Sequence, residues 1–376
     1  MLYVDHAAGG PVRAEVLEAM APFLLGRFGN PSSVHTVGED VSAALEDARR
    51  RIAGVLGMRA GDIVFTSGGT EANNLAIAGL ALGARGRRPG HLITTAIEHA
   101  SVLAVGRYLA RMHDYDLDIL PVDTRGRVRP DDVAAAVRDD TAVISIGYAN
   151  NEIGTVQDVA AIAATAGGIP VHVDAVQAAG WLPLAGLGVD ALSIAGHKIG
   201  APQGIGALAV RGRLPLEPVL HGGGQERGRR SGTQNVAGAV ALAVALELAE
   251  QERTDAATRA TAAREEFTAR VLATIPGARL TGDAVDRLPG LASFVFTGTS
   301  GEAVLLELER RGIITSSGSA CAAGSTDPSH VLAAIGLTDD ETRTAVRFSF
   351  DRTAPPAPAA LADALAAAVA AVRSAA

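Results

Sequence analysis

The sequence has a single cysteine, Cys321, among 376 residues, and aromatic residues make up only 3% of it. One cysteine excludes an intrachain disulfide and an all-cysteine metal cage, so we expect no metal centre and a cytoplasmic protein. Residues 1–6 lack the basic and apolar regions of a signal peptide, and no uninterrupted apolar run reaches about 18 residues. We therefore expect no membrane association.

Basic residues are also outnumbered by acidic ones, and the formal net charge is −8. Proteins that coat nucleic acid usually need a basic face, so no direct nucleic-acid partner is expected and a small polar substrate is favoured. At roughly 100 to 200 residues per domain, the length allows one large α/β domain and a smaller one.

Short apolar runs alternate with longer alanine-rich amphipathic stretches between residues 63 and 210, which predicts β-α units around a largely parallel sheet. Strands are predicted at 63–66, 91–94, 118–121, 142–147, 171–173, 191–195 and 206–210. The composition then favours one long helix over 237–275. A second α/β region follows, with predicted strands at 293–296 and 345–350, a helix at 301–311 and a helical tail from 355.

The segment from Ser67 to Glu71 reads Ser-Gly-Gly-Thr-Glu and lies between a predicted strand and an amphipathic helix. Glycines let a backbone approach a phosphate, and Gly69 and Thr70 offer N–H groups at the positive end of the helix dipole. The same pattern is at least as typical of a simple turn with a helix N-cap.

Asp174 and Lys198 follow two consecutive predicted strands, which would deliver both to the carboxyl edge of the sheet, where open α/β sheets bind ligands. An aspartate there can keep a pyridinium nitrogen protonated, and a lysine can form an imine with a cofactor aldehyde. Taken singly, the aspartate is more typical of a cap and the lysine of a solvated loop. Together with the phosphate turn that precedes them in the chain, the two residues favour a catalytic role.

Five motifs together resemble those of the cysteine desulfurases, in the class V aminotransferase group: the phosphate turn, 150–154 (Asn-Asn-Glu-Ile-Gly), 173–177 (Val-Asp-Ala-Val-Gln), 196–198 (Gly-His-Lys) and 229–233 (Arg-Arg-Ser-Gly-Thr). The resemblance implies the fold type I of PLP-dependent transferases. In that fold a large domain with a mostly parallel seven-stranded sheet is joined to a smaller α/β C-terminal domain. We place the large domain at 15–256 and the small domain, with the cysteine loop, at 1–14 and 257–376.

The resemblance also implies pyridoxal 5'-phosphate (PLP) as cofactor and assigns its contacts to Gly69, Thr70, His99, Asn151, Asp174, Gln177, His197, Lys198 and Thr233. In it, Lys198 forms the imine and moves the substrate Cα proton, and Asp174 holds the pyridinium nitrogen. Gln177 and Asn151 bond the ring hydroxyl, and Gly69, Thr70, His197 and Thr233 bind the phosphate. The residue matching Thr233 reaches the neighbouring subunit's site, so a homodimer with shared active sites is expected.

Four residues are expected to act on or bind the substrate, L-cysteine. His99 resembles the histidine that stacks on the cofactor and assists proton transfer. Cys321 lies among small residues that predict an accessible loop, and it resembles the cysteine that carries the persulfide to a sulfur-acceptor protein. Arg347 and Asn151 are assigned to substrate binding, with a guanidinium matching the α-carboxylate, although a structural ion pair is the alternative for Arg347.

The sequence departs from the family pattern at Gly9 and Gly10, which predict a wider entrance, and at Ala195, where a serine commonly donates to the phosphate. The C-terminus lacks the extra segment with which some members dock an iron–sulfur scaffold, so the sequence does not decide whether the acceptor is a scaffold, a tRNA-thiolating enzyme or a sulfur carrier. A selenocysteine lyase, or another class V lyase or aminotransferase without persulfide transfer, is the alternative enzyme. A binding protein without chemistry is opposed by the intact Lys198 and Asp174.

Overall fold

The computed structural model describes residues 1–84, 90–317 and 328–375. In these ranges the helices are α1 Ala14–Leu25, α2 Thr36–Leu56, α3 Gly69–Gly83, α4 Ala100–His113, α5 Pro130–Ala136, α6 Val159–Thr165, α7 Val236–Thr274, α8 Gly301–Arg310, α9 His330–Ala334, α10 Asp339–Thr342 and α11 Pro358–Ala375. The strands are β1 Leu2–Tyr3, β2 Ile63–Thr66, β3 His91–Thr95, β4 Asp116–Leu120, β5 Thr141–Gly147, β6 Val171–Asp174, β7 Ala191–Ala195, β8 Gly206–Val210, β9 Ala278–Leu280, β10 Leu291–Phe296, β11 Ile313–Ile314 and β12 Ala345–Ser349.

A seven-stranded sheet forms the centre of the larger part, in the order β2-β8-β7-β6-β5-β3-β4. Only β8 runs against its neighbours, so the sheet is mostly parallel, as expected. The central strands are buried along their length, which is why they are apolar runs and not alternating patterns. The carboxyl ends of all the parallel strands consequently meet at one edge.

A smaller three-stranded antiparallel sheet, β12-β10-β9, has a core of its own. Phe267 of α7 packs edge-on against Phe294 and Phe348, with ring centroids 5.8 and 5.0 Å apart. The chain's first residues belong to this part, because β1 pairs with β11 and Asp5 bridges to Ser349. The predicted boundaries after residues 14 and 256 stay predictions, since α7 runs without a break across 256.

Helix α11 is long and apolar enough, by length and composition, to be compared with a membrane span. Its apolar side chains pack inside the protein, since Leu361, Leu365 and Val369 are buried in the core of the small sheet. That packing accounts for the apolar spacing from which a helical tail is predicted.

Candidate active site

Four of the residues predicted to carry chemistry follow the carboxyl ends of parallel strands of the large sheet. Asp174 is the last residue of β6 and pairs with Ser193 of the adjacent parallel strand β7, which leads through a short turn to Lys198. His99 follows β3, and Gly69 follows β2. The predicted meeting of Asp174 and Lys198 at one sheet edge is thus confirmed.

A cavity of about 570 Å³ opens at this edge. Its wall includes nine of the predicted site residues, namely Gly69, Thr70, His99, Asn151, Asp174, Gln177, His197, Lys198 and Arg347. The volume suits a drug-sized ligand, for which sites of about 300 to 1,000 Å³ are typical. Thr233 is exposed and does not line this cavity. Cys321 lies outside the described residues.

One end of the cavity is shaped for a phosphate group. A Cβ on Gly69 would lie 2.6 Å from a Val176 methyl, and one on Gly206 would lie 2.7 Å from the Cα of Gly68, so side chains are excluded where β2, α3 and β8 meet. The first turn of α3 therefore presents its N–H groups directly to the cavity. Ala195 lies beside Gly69, which places the predicted departure at this end.

His197 lies at the same cavity and carries no charge at neutral pH. Burial, and then the positive charge of Lys198, lower the pKa of His197 to about 4. A neutral imidazole still donates one hydrogen bond, which suits a phosphate ligand.

Lys198 is the only lysine in the chain. Its Nζ donates to the carbonyl oxygens of Ala7, at 2.5 Å, and Ala8, at 3.0 Å, and the Gln177 amide donates to the Ala7 oxygen at 2.8 Å. The entrance segment that precedes Gly9 therefore lies against the amine, with its backbone oxygens turned toward it.

Asp174 is oriented by two donors, the backbone N–H of Val176 at 3.0 Å and the side-chain amide of Asn73 at 2.7 Å. Asn73 is buried, and its Oδ1 has no hydrogen-bond partner among the described residues. The buried Asn73 oxygen thus lies without a partner beside a carboxylate that is held in one orientation, and contacts within the described fold do not account for this pair. The pair fits the nitrogen side of a pyridinium ring.

The loop after β3 is held firmly at the cavity. Asn150 donates to the carbonyl of Ile97 at 2.8 Å, and His330 bonds the carbonyl of Glu98 at 2.9 Å. His99 caps α4, because its Nδ1 accepts from the backbone N–H of Ser101 at 3.1 Å. Burial, opposed by hydrogen bonds from Thr95 and the Gly147 backbone, raises the pKa of Glu98 to about 7.

Arg347 is buried at the cavity wall and already has protein partners. Its guanidinium donates to Asp5 Oδ1 at 2.6 Å and to the carbonyl of Asn151 at 2.8 Å. This position allows contact with a substrate carboxylate, while the Asp5 pair keeps the structural alternative open.

Both flanks of the segment that contains Cys321 are attached next to the cavity. Before it, Ser316 and Arg347 exchange backbone hydrogen bonds of 3.3 and 2.6 Å. After it, Ser329 donates to Glu152 at 2.5 Å, next to the His330 contact. Cys321 is four residues from Ser317, a span of at most about 14 Å for an extended chain.

Comparison with known proteins agrees with this geometry. The family model for aminotransferase class-V matches residues 2–356. The chain is 43% identical to cysteine desulfurase IscS of Dictyoglomus turgidum, covering 93% of this chain and 89% of that protein. It is also 43% identical to cysteine desulfurase NifS of Azotobacter vinelandii, with coverages of 93% and 88%.

The chain belongs to the cysteine desulfurases of the aminotransferase class-V family. Among solved structures it is similar to a NifS-like protein, with a TM-score of 0.88 and 33% identity over 99% of this chain and 98% of that one. The predicted family, fold and desulfurase function are thereby confirmed.

Several residues in or next to this desulfurase cavity are not among those predicted from the sequence. Asn73 and Glu98 line it, and Ser101 and Asp5 hydrogen-bond lining residues, Asn73 and Arg347 respectively. Asn73 follows Thr70 by three residues, which places both on one side of α3, and Glu98 directly precedes His99. These spacings are the sequence signals from which Asn73 and Glu98 could have been predicted. For Asp5 there is none, because its contact with Arg347 joins residues 342 positions apart.

Proposed function

We propose that this chain is a PLP-dependent desulfurase that converts L-cysteine to L-alanine and leaves the sulfur as a persulfide on Cys321. The observation that carries the proposal is the position of the only lysine, which lies in a cavity with an oriented Asp174 and a glycine-lined helix N-terminus. PLP, when bound, supplies an aldehyde for covalent attachment and an electron sink for the substrate carbon.

The cavity residues divide into those that would hold the cofactor and those that would act on the substrate. Gly69, Thr70 and neutral His197 would bind the phosphate, Asp174 the ring nitrogen, and Gln177 and Asn151 the ring hydroxyl. His99 would lie against the ring. We assign the remaining work to Lys198, which moves the Cα proton with its Nζ, and to Arg347, which pairs with the α-carboxylate.

Sulfur transfer is assigned to Cys321. The Cys321 thiolate attacks the sulfur of cysteine, so that an S–S bond forms and the substrate Cβ–S bond breaks. The electron pair left on carbon takes a proton to give alanine, and the two products together contain all atoms of cysteine and the thiol. The attachment of both flanks at the cavity supports this role, since Ser316 before the segment bonds Arg347 and His330 after it bonds the Glu98 carbonyl.

We further propose a cytoplasmic homodimer that shares its active sites and passes sulfur to an acceptor protein. Six exposed apolar side chains in the N-terminal region support an interface between two copies, namely Leu17, Leu24, Leu25, Phe28, Val34 and Val37. Thr233 is exposed in a loop held by the buried ion pair of Arg49 and Glu226, at 2.7 and 2.9 Å. A fixed, outward-facing loop is what a contribution to the partner's site requires.

Replacing Cys321 tests the persulfide. Cys321→Ser should keep the fold and the imine absorbance of the bound cofactor, and cysteine should still perturb that absorbance. Alanine release should fall to a small fraction of the wild-type rate, because a serine hydroxyl is almost wholly protonated at neutral pH, whereas a thiol with a pKa of about 8.5 supplies some thiolate.

Ser317→Ala, in the flank before the loop, is the control and should retain wild-type alanine release. Undiminished alanine production by Cys321→Ser, with sulfide released directly, would instead identify a lyase, such as a selenocysteine lyase, on the same fold.

A further inference from the structure

A chain of hydrogen bonds runs from Asp174 to His99 through two residues for which the proposed function has no role. The Asn73 amide nitrogen donates to Asp174 Oδ2 at 2.7 Å and to Ser101 Oγ at 3.0 Å. Ser101 Oγ lies 2.8 Å from His99 Nδ1, and the Ser101 backbone N–H donates to the same Nδ1 at 3.1 Å. We propose that Asn73 and Ser101 are positioning residues that fix His99 as the tautomer with its hydrogen on Nε2.

The direction of each bond follows from the donor inventory. The Asn73 nitrogen has two hydrogens and faces two acceptors, and the opposite amide orientation would set its oxygen against the Asp174 carboxylate. Ser101 Oγ accepts from Asn73, so its single hydrogen is directed to His99 Nδ1. The backbone N–H of Ser101 cannot reverse its role, and Nδ1 is therefore an acceptor.

A neutral imidazole whose Nδ1 accepts carries its hydrogen on Nε2. His99 lines the cavity, so it faces a bound substrate as a donor. From Nε2 it can donate a hydrogen bond to a substrate or cofactor atom, whereas giving up that proton altogether would leave a high-energy imidazolate. A hydrogen on Nδ1 would oppose the backbone N–H, so the imidazolium and the other tautomer are both disfavoured.

Asn73 supplies an independent observation. Its side chain is 1% exposed, and its Oδ1 is buried without a hydrogen-bond partner among the described residues. Burying an unpaired acceptor costs free energy. The amide at this position therefore serves the two groups that its nitrogen holds, Asp174 and Ser101, and is not explained by packing within α3.

The tautomer is measurable by NMR of the holoenzyme labelled with 15N-histidine, with His99 assigned through His99→Gln. At about pH 8 we expect a protonated Nε2 and an unprotonated Nδ1, with widely separated nitrogen shifts. In Ser101→Ala this separation should shrink, and kcat should fall on the order of 10-fold with little change in KM for cysteine. Ser101→Thr, which keeps the hydroxyl, should restore both.

Ser145→Ala is the matched control, because it removes another buried serine–histidine hydrogen bond, 2.9 Å to His172, within the same sheet. It should leave the His99 signals in place. A protonated Nδ1 in the wild type, or a Ser101→Ala spectrum identical to it, would overturn the inference. The inference rests on the proposed function only for the group that the Nε2–H faces, so a wild type that shows the tautomer but makes no alanine would refute the function alone.

Discussion

At the scale of single residues, Lys198 is the simplest to test because the chain has no second lysine. Borohydride reduction should attach the cofactor to Lys198 alone, the N-terminal amine being the other available amine. Lys198→Ala and Lys198→Arg should both lose the imine absorbance and all desulfuration, although the arginine keeps a cation near the Ala7 and Ala8 oxygens. A reduced adduct mapped to Met1 would contradict the assignment.

Arg347 has two competing roles that one set of variants separates. If it binds the substrate carboxylate, Arg347→Ala should weaken cysteine binding by roughly 1.5 to 3 kcal/mol, about 10- to 150-fold. Steady-state KM and the spectral titration with cysteine measure this loss.

Asp5→Asn is the companion variant, because it breaks the 2.6 Å ion pair and keeps the guanidinium. It should change cysteine affinity far less than Arg347→Ala does. Equal losses of unfolding free energy in the two variants, with unchanged affinity for cysteine, would show that the arginine is structural.

The sequence predicts site residues well where a motif ties them to a strand end and poorly where a contact depends on tertiary approach. Asp174 and Lys198 are predictable because each follows a buried apolar run, and adjacent parallel strands end together. Asn73 and Asp174 are 101 positions apart and meet only because α3 packs across the end of β6. No local pattern records that approach.

At the scale of elements, the alternation that predicts the central sheet begins at residue 63, and all seven strands lie within about two residues of their predicted positions. Helices α1 and α2 precede that alternation and are not predicted by it. Helix α1 contains Pro22 and exposes Leu24 and Leu25, so its sequence does not show the separate apolar and polar faces by which a surface helix is usually recognised.

The loop between β3 and α4 gives a pH prediction through Glu98, whose pKa burial raises from 4.5 to about 7. Between these values the folded chain keeps a proton that the unfolded chain has lost. The stabilising contribution is therefore complete below pH 4.5 and is lost as pH rises through 7, a change of up to about 3 kcal/mol in the free energy of unfolding.

Glu98→Gln mimics the protonated acid and should remove this part of the pH dependence, so its stability relative to wild type should increase with pH. Denaturant unfolding at several pH values measures the effect, and Glu302→Gln, at an exposed position of α8, is the control. Parallel pH profiles for wild type and Glu98→Gln would show that Glu98 has the same pKa in the folded and the unfolded chain.

At the scale of the whole molecule, the two sheets and the N-terminal segment converge on one cavity. Lys198 comes from the large sheet, Arg347 from the small one, and Ala7 and Ala8 from the segment that pairs with β11 and β12. Among the predicted site residues that the structure describes, Thr233 is the one that this convergence does not bring in. Its absence from its own cavity is what a site completed by a second copy predicts.

Complementation between two defective subunits tests that sharing. If Thr233 acts in the partner's site, a hybrid dimer of a Lys198→Ala and a Thr233→Ala subunit has one site with both defects and one fully intact site. Random co-assembly makes half of the dimers hybrid, so about a quarter of all sites should be active, while each variant alone shows little desulfuration after dialysis against cofactor-free buffer. If Thr233 acts within its own subunit, every site in the mixture carries one defect and no activity returns.

A Lys198→Ala and Lys198→Arg mixture is the control, because neither subunit supplies the amine under any arrangement. Restoration in the first mixture alone would show that the active site is built from two chains.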